Sequence, residues 1–431
     1  MCILVVEAGI SNPGQIEEIT TPFKTFNLRG SKYDWAYKTT MIKRDDYEHI
    51  EKPNTRGTTI GGSSCVNYFT WILDPSRLSM IGRLLGHPLT EEIFSGEMEG
   101  LTHCVDTIYQ GERQGSSLYL KNKPNVTILY GIQSKRLIID PVTSVCSDVT
   151  VISNAYNTEI NVYTSREVIL SQGVFDAPKL LMLSGVGPAT ELAKDGIKPI
   201  AESPHVGQHL LDHPIVPFVL QIKDGFCLDD HILCPDTLNN SAIATYKRSK
   251  TGLIRSSLLE LVGLPRIDER LEKYPVYRES KAANGRLDLF GPAGQPHFEL
   301  DFVGMFSTAF QWHYPSPRRG TVTLNSANAQ VLPNINLNFF GNERSQPCAR
   351  VQTGFHPCGT ARLSKNIHQC VVDPKLRVHG VRNLRIADAS IIPVIPDCRI
   401  QNSMYMIGEK GADIIKSDNK YLYDAQSLVS S

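Results

Sequence analysis

The chain opens on an unbroken apolar run, Cys2-Ile3-Leu4-Val5-Val6, closed by Glu7, Ala8 and Gly9. A run this short, with no polar alternation, predicts a parallel strand covered on both faces. A loop-rich stretch follows to residue 55, and then Gly61 and Gly62 form a turn running into a predicted helix start. From residue 125 short β-rich segments recur at 126–130, 136–139, 149–152 and 160–163, which predicts a meander inserted into a larger fold. Val168-Ile169-Leu170-Ser171 reads as another buried strand, leading into a Leu-rich helix over 177–183 with a stop at Gly185. Between residues 216 and 350 the pattern turns irregular, with alternating strands at 298–302 and 321–324, and predicts a separate antiparallel domain. Strand-then-helix text returns near 365, with a strand at 384–388 and an amphipathic helix over 404–415.

Composition narrows the functions without choosing one. The 431 residues are 41% hydrophobic and 20% charged, ordinary for a soluble globular protein of one large or two medium domains. Lys plus Arg and Asp plus Glu stand at 44 each, so there is no basic excess to attract nucleic acid or an anionic membrane. No apolar run is long enough to cross a bilayer. The start lacks the basic residues and cleavage site of a secretory signal, which leaves cytoplasmic and secreted locations both open. The ten cysteines are scattered without a C-x-x-C pair and do not form a disulfide scaffold. Cys227, His231 and Cys234 have zinc-like spacing, but no second cluster completes a tetrahedron. His205, His209 and His213 would share one helical face, yet Gly207 and Pro214 break the helix. No metal is expected at either place.

Three positions carry candidate chemistry. Glu7, ending its strand, suits a carboxylate that accepts hydrogen bonds from ribose hydroxyls, and equally suits a charged strand end at the surface. In Gly61-Gly62-Ser63-Ser64, adjacent glycines let backbone N–H groups approach a phosphate or flat ring, while a plain turn capping a helix explains the same residues. His356, before Pro357, is either a turn residue or an imidazole able to take a proton near neutral pH.

The order of motifs resembles the glucose–methanol–choline oxidoreductase family. Arg56–Asn67 is similar to the family's first signature, and Ser171–Pro178 running on to Leu183–Pro188 to its second. Val206-Gly207, Leu210 and Asp212-His213-Pro214 match a third element. His356–Thr360, Val372-Asp373-Pro374, Val378–Val381, Asp388–Pro393 and Tyr405–Lys410 follow as its C-terminal block. The resemblance implies an α/β (mixed α+β) fold with a Rossmann-like FAD-binding domain over 1–215 and 365–431, and an antiparallel-sheet substrate domain over 216–364. It implies FAD as cofactor, with Glu7 at the adenosine ribose and Gly61, Gly62, Ser63 and Asn67 lining the pyrophosphate and flavin. Asp388 and Ala389 would sit at the ribityl–phosphate region, and Ile400 and Gln401 near the ring. His356 would be the catalytic base, taking the O–H proton of a small-molecule alcohol while a hydride passes to flavin. Oxygen or another acceptor would reoxidise it.

Two departures from the family matter. The G-x-G-x-x-G turn with which the family cradles the FAD pyrophosphate is not in this sequence, and the stretch between Trp71 and Asn125 reads as shortened. The expectation is therefore an N-terminally shortened member or an incomplete gene model. Second, Arg399 falls where the family carries His or Asn; always charged, it would stabilise an alkoxide, the anionic reduced flavin or a substrate carboxylate. Alongside alcohol oxidation stand two alternatives: a lyase or cyclase keeping FAD only as structure, and a degenerate, non-catalytic homologue.

Overall fold

The computed structural model describes residues 2–42, 51–72, 99–219, 228, 237–257, 259–283, 296–303, 308–312, 319–339, 350–396 and 399–420. The zinc-like trio Cys227, His231 and Cys234 lies outside them. The class is α/β, with parallel and antiparallel strands in several sheets.

The opening run forms β1 (Ile3–Glu7), paired in parallel with β2 (Val126–Tyr130) from Ile3↔Val126 to Glu7↔Tyr130. The expectation that both faces of β1 are covered does not hold, because Ile3 and Leu4 are 42% and 44% exposed. The expected four-strand meander is also smaller. Strand 126–130 pairs with β1 instead, and among the described residues Ile132–Ile139, Cys146–Ser153 and Glu159–Tyr163 form the antiparallel triple. Strand Val168–Leu170 then pairs in parallel with Leu384–Ile386, from the far end of the chain.

Helix α1 (Gly173–Leu183) follows and is almost wholly buried. It carries Pro178, which has no N–H to give the carbonyl four residues back, at Val174. The Thr360 hydroxyl donates to that carbonyl instead, at 2.6 Å, so the orphaned acceptor is satisfied from the C-terminal half of the chain. Thr360→Val should strand a buried carbonyl and cost about 1–3 kcal/mol, read as a lowered melting temperature. An unchanged melt would show that the bond is dispensable.

A seven-stranded antiparallel sheet gathers the region that the sequence set apart. Its members include, as neighbours in this order, the short β5 (Gln352–Thr353), β3 (Pro214–Phe218), Thr308–Trp312, β4 (Phe298–Val303) and Leu259–Leu264. The sheet also takes in Thr70–Ile72 and Gly100–Asp106, and strands Thr321–Thr323 and Asn334–Asn336 join Tyr37–Thr40 and Glu51–Asn54. Sheet membership therefore crosses the 215/216 division in both directions. Helix α2 (Gln401–Asp418) closes the fold. The buried Arg385 guanidinium pairs with Glu167 at 2.6 Å and with Asp418, at the far end of α2, at 2.9 Å. Among the described residues no helix is long and apolar enough to cross a membrane.

Two cores result. One wraps α1 with the Val168–Leu170 and Leu384–Ile386 strands, and the other joins Phe175, Leu211, Val216, Cys358, Ala389 and Ile400. The second core lies under the groups described next.

Candidate active site

The Asp212 carboxylate is the knot of the site. It is 4% exposed; Oδ1 accepts from the backbone N–H of His213 at 2.8 Å and of His356 at 2.9 Å, and Oδ2 accepts from the Thr353 hydroxyl. Burial pushes its pKa up to about 6, against the lowering effect of the Thr353 hydrogen bond and of Arg56. These bonds bring two histidines together: Nδ1 of His213 lies 3.1 Å from Nδ1 of His356, with the rings edge to face at 84°. One ring nitrogen must donate and the other accept, so the contact couples the tautomers of the two rings. Gly354 lets the chain pass, since a Cβ there would lie 2.7 Å from the His213 carbonyl oxygen. Gly354→Ala should push the pair apart and lower stability by about 1–3 kcal/mol, with a matching loss of turnover. A variant as stable and as active as the parent would dissociate the glycine from the site.

Arg399 stands just before α2, its side chain 11% exposed, and Nη2 reaches Glu299 Oε1 at 2.7 Å and hydrogen-bonds Asp301 Oδ1, both on β4. Burial alone would lower the guanidinium pKa, but the two carboxylates override it and hold the pKa above its usual value. Nη1 of Arg399 is buried and has no hydrogen-bond partner among the described residues. Register relates this group to the histidines. Ile215 of β3 and Glu299 of β4 both pair with Gln311, so they share a face two strand spacings, about 10 Å, apart.

The remaining predicted residues form a third zone. A bridge between Ile10 and Thr59 lays the turn after β1 against the chain entering Gly61. Glu7 Oε1 accepts the Gly9 N–H at 2.7 Å, and burial raises its pKa. The expected helix start after Gly61 is a single 3-10 turn, Gly62–Cys65, with Gly61 and Gly62 both at positive φ. The serines do not cap a helix: Ser64 donates to the Gly61 carbonyl, and Ser63 Oγ accepts the Gly57 N–H. Asn67 Oδ1 accepts from Arg113 at 2.7 Å and from the Phe69 N–H. Arg113 was not legible as a site residue. It is buried, stacks 3.8 Å above Phe69, and ties Ser64, Asn67, Ile19 and Thr25 together. Burial lowers its pKa to about 9.

Asp388 accepts the N–H of Ser390 at 2.8 Å and of Gly173, the first residue of α1, at 2.9 Å. A carboxylate at that helix N-terminus meets its partial positive charge. Ala389 and Ile400 lie in the core shared with Cys358, and Gln401 opens α2. Among the described residues Gln172 Oε1 is a buried polar atom with no hydrogen-bond partner. A buried acceptor of this kind and a glycine turn that admits close approach fit a flat ring with polar edges. Elsewhere, His205 and His209 hydrogen-bond each other at 2.9 Å, and among the described residues no three His, Cys, Asp or Glu could hold a metal ion.

Comparison with known proteins adds the following. Two family models described as GMC oxidoreductase match, one over residues 83–215 and one over 342–408. The oxygen-dependent choline dehydrogenase of Brucella ovis is 29% identical over 397 residues, covering 78% of this chain and 66% of its own length. The chain thus spans just under two thirds of that curated relative. A crystal structure of formate oxidase superposes with a TM-score of 0.92 at 45% identity, covering 98% of this chain and 95% of the other. Two structures of the Aspergillus oryzae formate oxidase, with an arginine changed to alanine or to lysine and studied for FAD modification, match equally well.

Proposed function

The chain belongs to the glucose–methanol–choline oxidoreductase family, and on that premise we propose an FAD-dependent oxidoreductase whose hydride donor is a small carboxylate, formate first. The observation that carries the reading is the buried Arg399 guanidinium, whose Nη1 has no partner among the described residues. A desolvated guanidinium with a donor to spare is suited to a carboxylate oxygen, through a charge-assisted bond stronger than a neutral one. The 45% identity to formate oxidase over nearly the whole chain supports the same substrate class.

In this reading Arg399 holds one oxygen of the formate anion and orients its C–H bond. Loss of hydride from that carbon leaves carbon dioxide, so no O–H proton has to be removed. The His356 imidazole, tied to His213 and to Asp212, holds the second oxygen as a hydrogen-bond donor. Bound FAD supplies the hydride acceptor, and oxygen or another oxidant restores it. Glu7 is assigned to the ribose, Gly61, Gly62, Ser63 and Asn67 to the pyrophosphate side, and Asp388, Ala389, Ile400 and Gln401 to the ring and ribityl side. The FAD-binding part is assigned to 1–215 and 365–431, and the substrate part to 216–364.

A second reading, oxidation of an alcohol with His356 as base, is favoured by the similarity to choline dehydrogenases. Anaerobic mixing of the FAD-loaded protein with formate, choline or a primary alcohol separates the two. Bleaching of the oxidised flavin by formate supports the first, bleaching by alcohols alone supports the second, and turnover without bleaching would point to lyase chemistry.

A further inference from the structure

Arg399 faces two acids rather than one. Glu299 and Asp301 lie two residues apart on the same face of β4, with side chains 0% and 6% exposed. Both carboxyl groups lie against the one guanidinium, Glu299 at 2.7 Å from Nη2. With both acids ionised, two negative charges would oppose one guanidinium, leaving an excess negative charge in a place closed to water. Other groups face the pair: Cys104 and Asp106 come from the Gly100–Asp106 strand, and Arg399 from the entry to α2. Along β4 itself His297 precedes them, accepting the Ile267 N–H and lying 3.6 Å from Asp268.

We propose that Glu299 and Asp301 act as a proton-sharing pair that positions Arg399 and takes up one proton when an anionic carboxylate binds beside the guanidinium. The inference rests on reading Arg399 as the carboxylate contact. An incoming anion is repelled by the doubly ionised pair and accepted by the singly protonated one, so binding and protonation favour each other. Burial pushes Asp301 up to about 7, with Arg399 opposing the rise and Glu299 adding to it, which puts the coupling near neutrality. The site then takes up the elements of the free acid while Arg399 stays charged. Glu299 and Asp301 are positioning residues, acting on the substrate through the guanidinium.

The test uses acetate, a carboxylate with no hydride to give, and the FAD-loaded full chain. Binding is followed by perturbation of the flavin spectrum, and proton uptake by calorimetry in two buffers of different ionisation enthalpy. The expected result is about one proton taken up per acetate above pH 7, with affinity falling about tenfold per pH unit there. In Glu299→Gln or Asp301→Asn the remaining acid neutralises Arg399, so uptake should vanish and affinity become level with pH. Either variant suffices if the other does not fold. Acetate binding without proton uptake in the parent overturns this inference and leaves the carboxylate reading standing, as does uptake unchanged in both variants. Failure of acetate to bind at all overturns both.

Discussion

Arg399→Ala is expected to lower kcat/KM for formate by about 10²–10³, the order lost when one preorganised donor to a reacting oxygen is removed. The side chain is buried, anchored through Nη2 to Glu299 and Asp301, and Nη1 has no partner among the described residues. Its removal would take away the substrate contact and leave two buried acids without their counter-ion, so folding and FAD content must be measured alongside. Arg399→Lys keeps a charge but gives up the planar fork that can serve an acid pair and a substrate at once, and should recover only part of the rate. Rates of anaerobic flavin reduction by formate give the comparison. Reduction as fast in the alanine variant as in the parent would remove Arg399 from substrate binding.

The second large effect is expected at His356. His356→Ala should slow flavin reduction by about 10²–10⁴, the range for a positioned proton-transfer or donor group. The pH profile distinguishes its roles. If alcohols are the donors, the parent rate rises with pH as the imidazole becomes neutral, and the variant loses that limb. If formate is the donor, the variant weakens binding and rate without depending on that deprotonation. His213→Gln should fall between parent and His356→Ala, because it breaks the Nδ1 contact while leaving the His356 ring in place. Flavin reduction unchanged in His356→Ala would show that the ring does not touch the chemistry.

Legibility in the sequence followed the range of the interaction that decides each feature. Strand 168–170 and the helix after it were readable because apolar periodicity and a glycine stop are local signals. The partner of strand 126–130 was not, because β1 lies more than a hundred residues away and strand text carries no address. The Gly61–Gly62 turn was recognised, but its continuation as a single 3-10 turn depends on Arg113 gripping Ser64 and Asn67 from the short strand Glu112–Arg113. His356 and Arg399 were picked out by resemblance alone, while Asp212 beneath the histidines and the Glu299–Asp301 pair beneath Arg399 became visible only in three dimensions. Acids within a strand look like ordinary surface charge until burial is known.

The ties that build the site have a consequence for how the chain reaches it. The Asp212–His356 bond spans 144 residues, Arg399–Asp301 spans 98, and the Asp388 contact at the first residue of α1 spans 215. Helix α1 and the meander can form soon after synthesis, but the helix lacks its Asp388 contact, and Val174 its Thr360 donor, until nearly the whole sequence has emerged. Contacts of such separation close slowly, and the half-built intermediate exposes strand edges while it waits. Competence to hold the cofactor should therefore appear late in folding and all at once, which makes addition of FAD during refolding a sensitive clock for the final step.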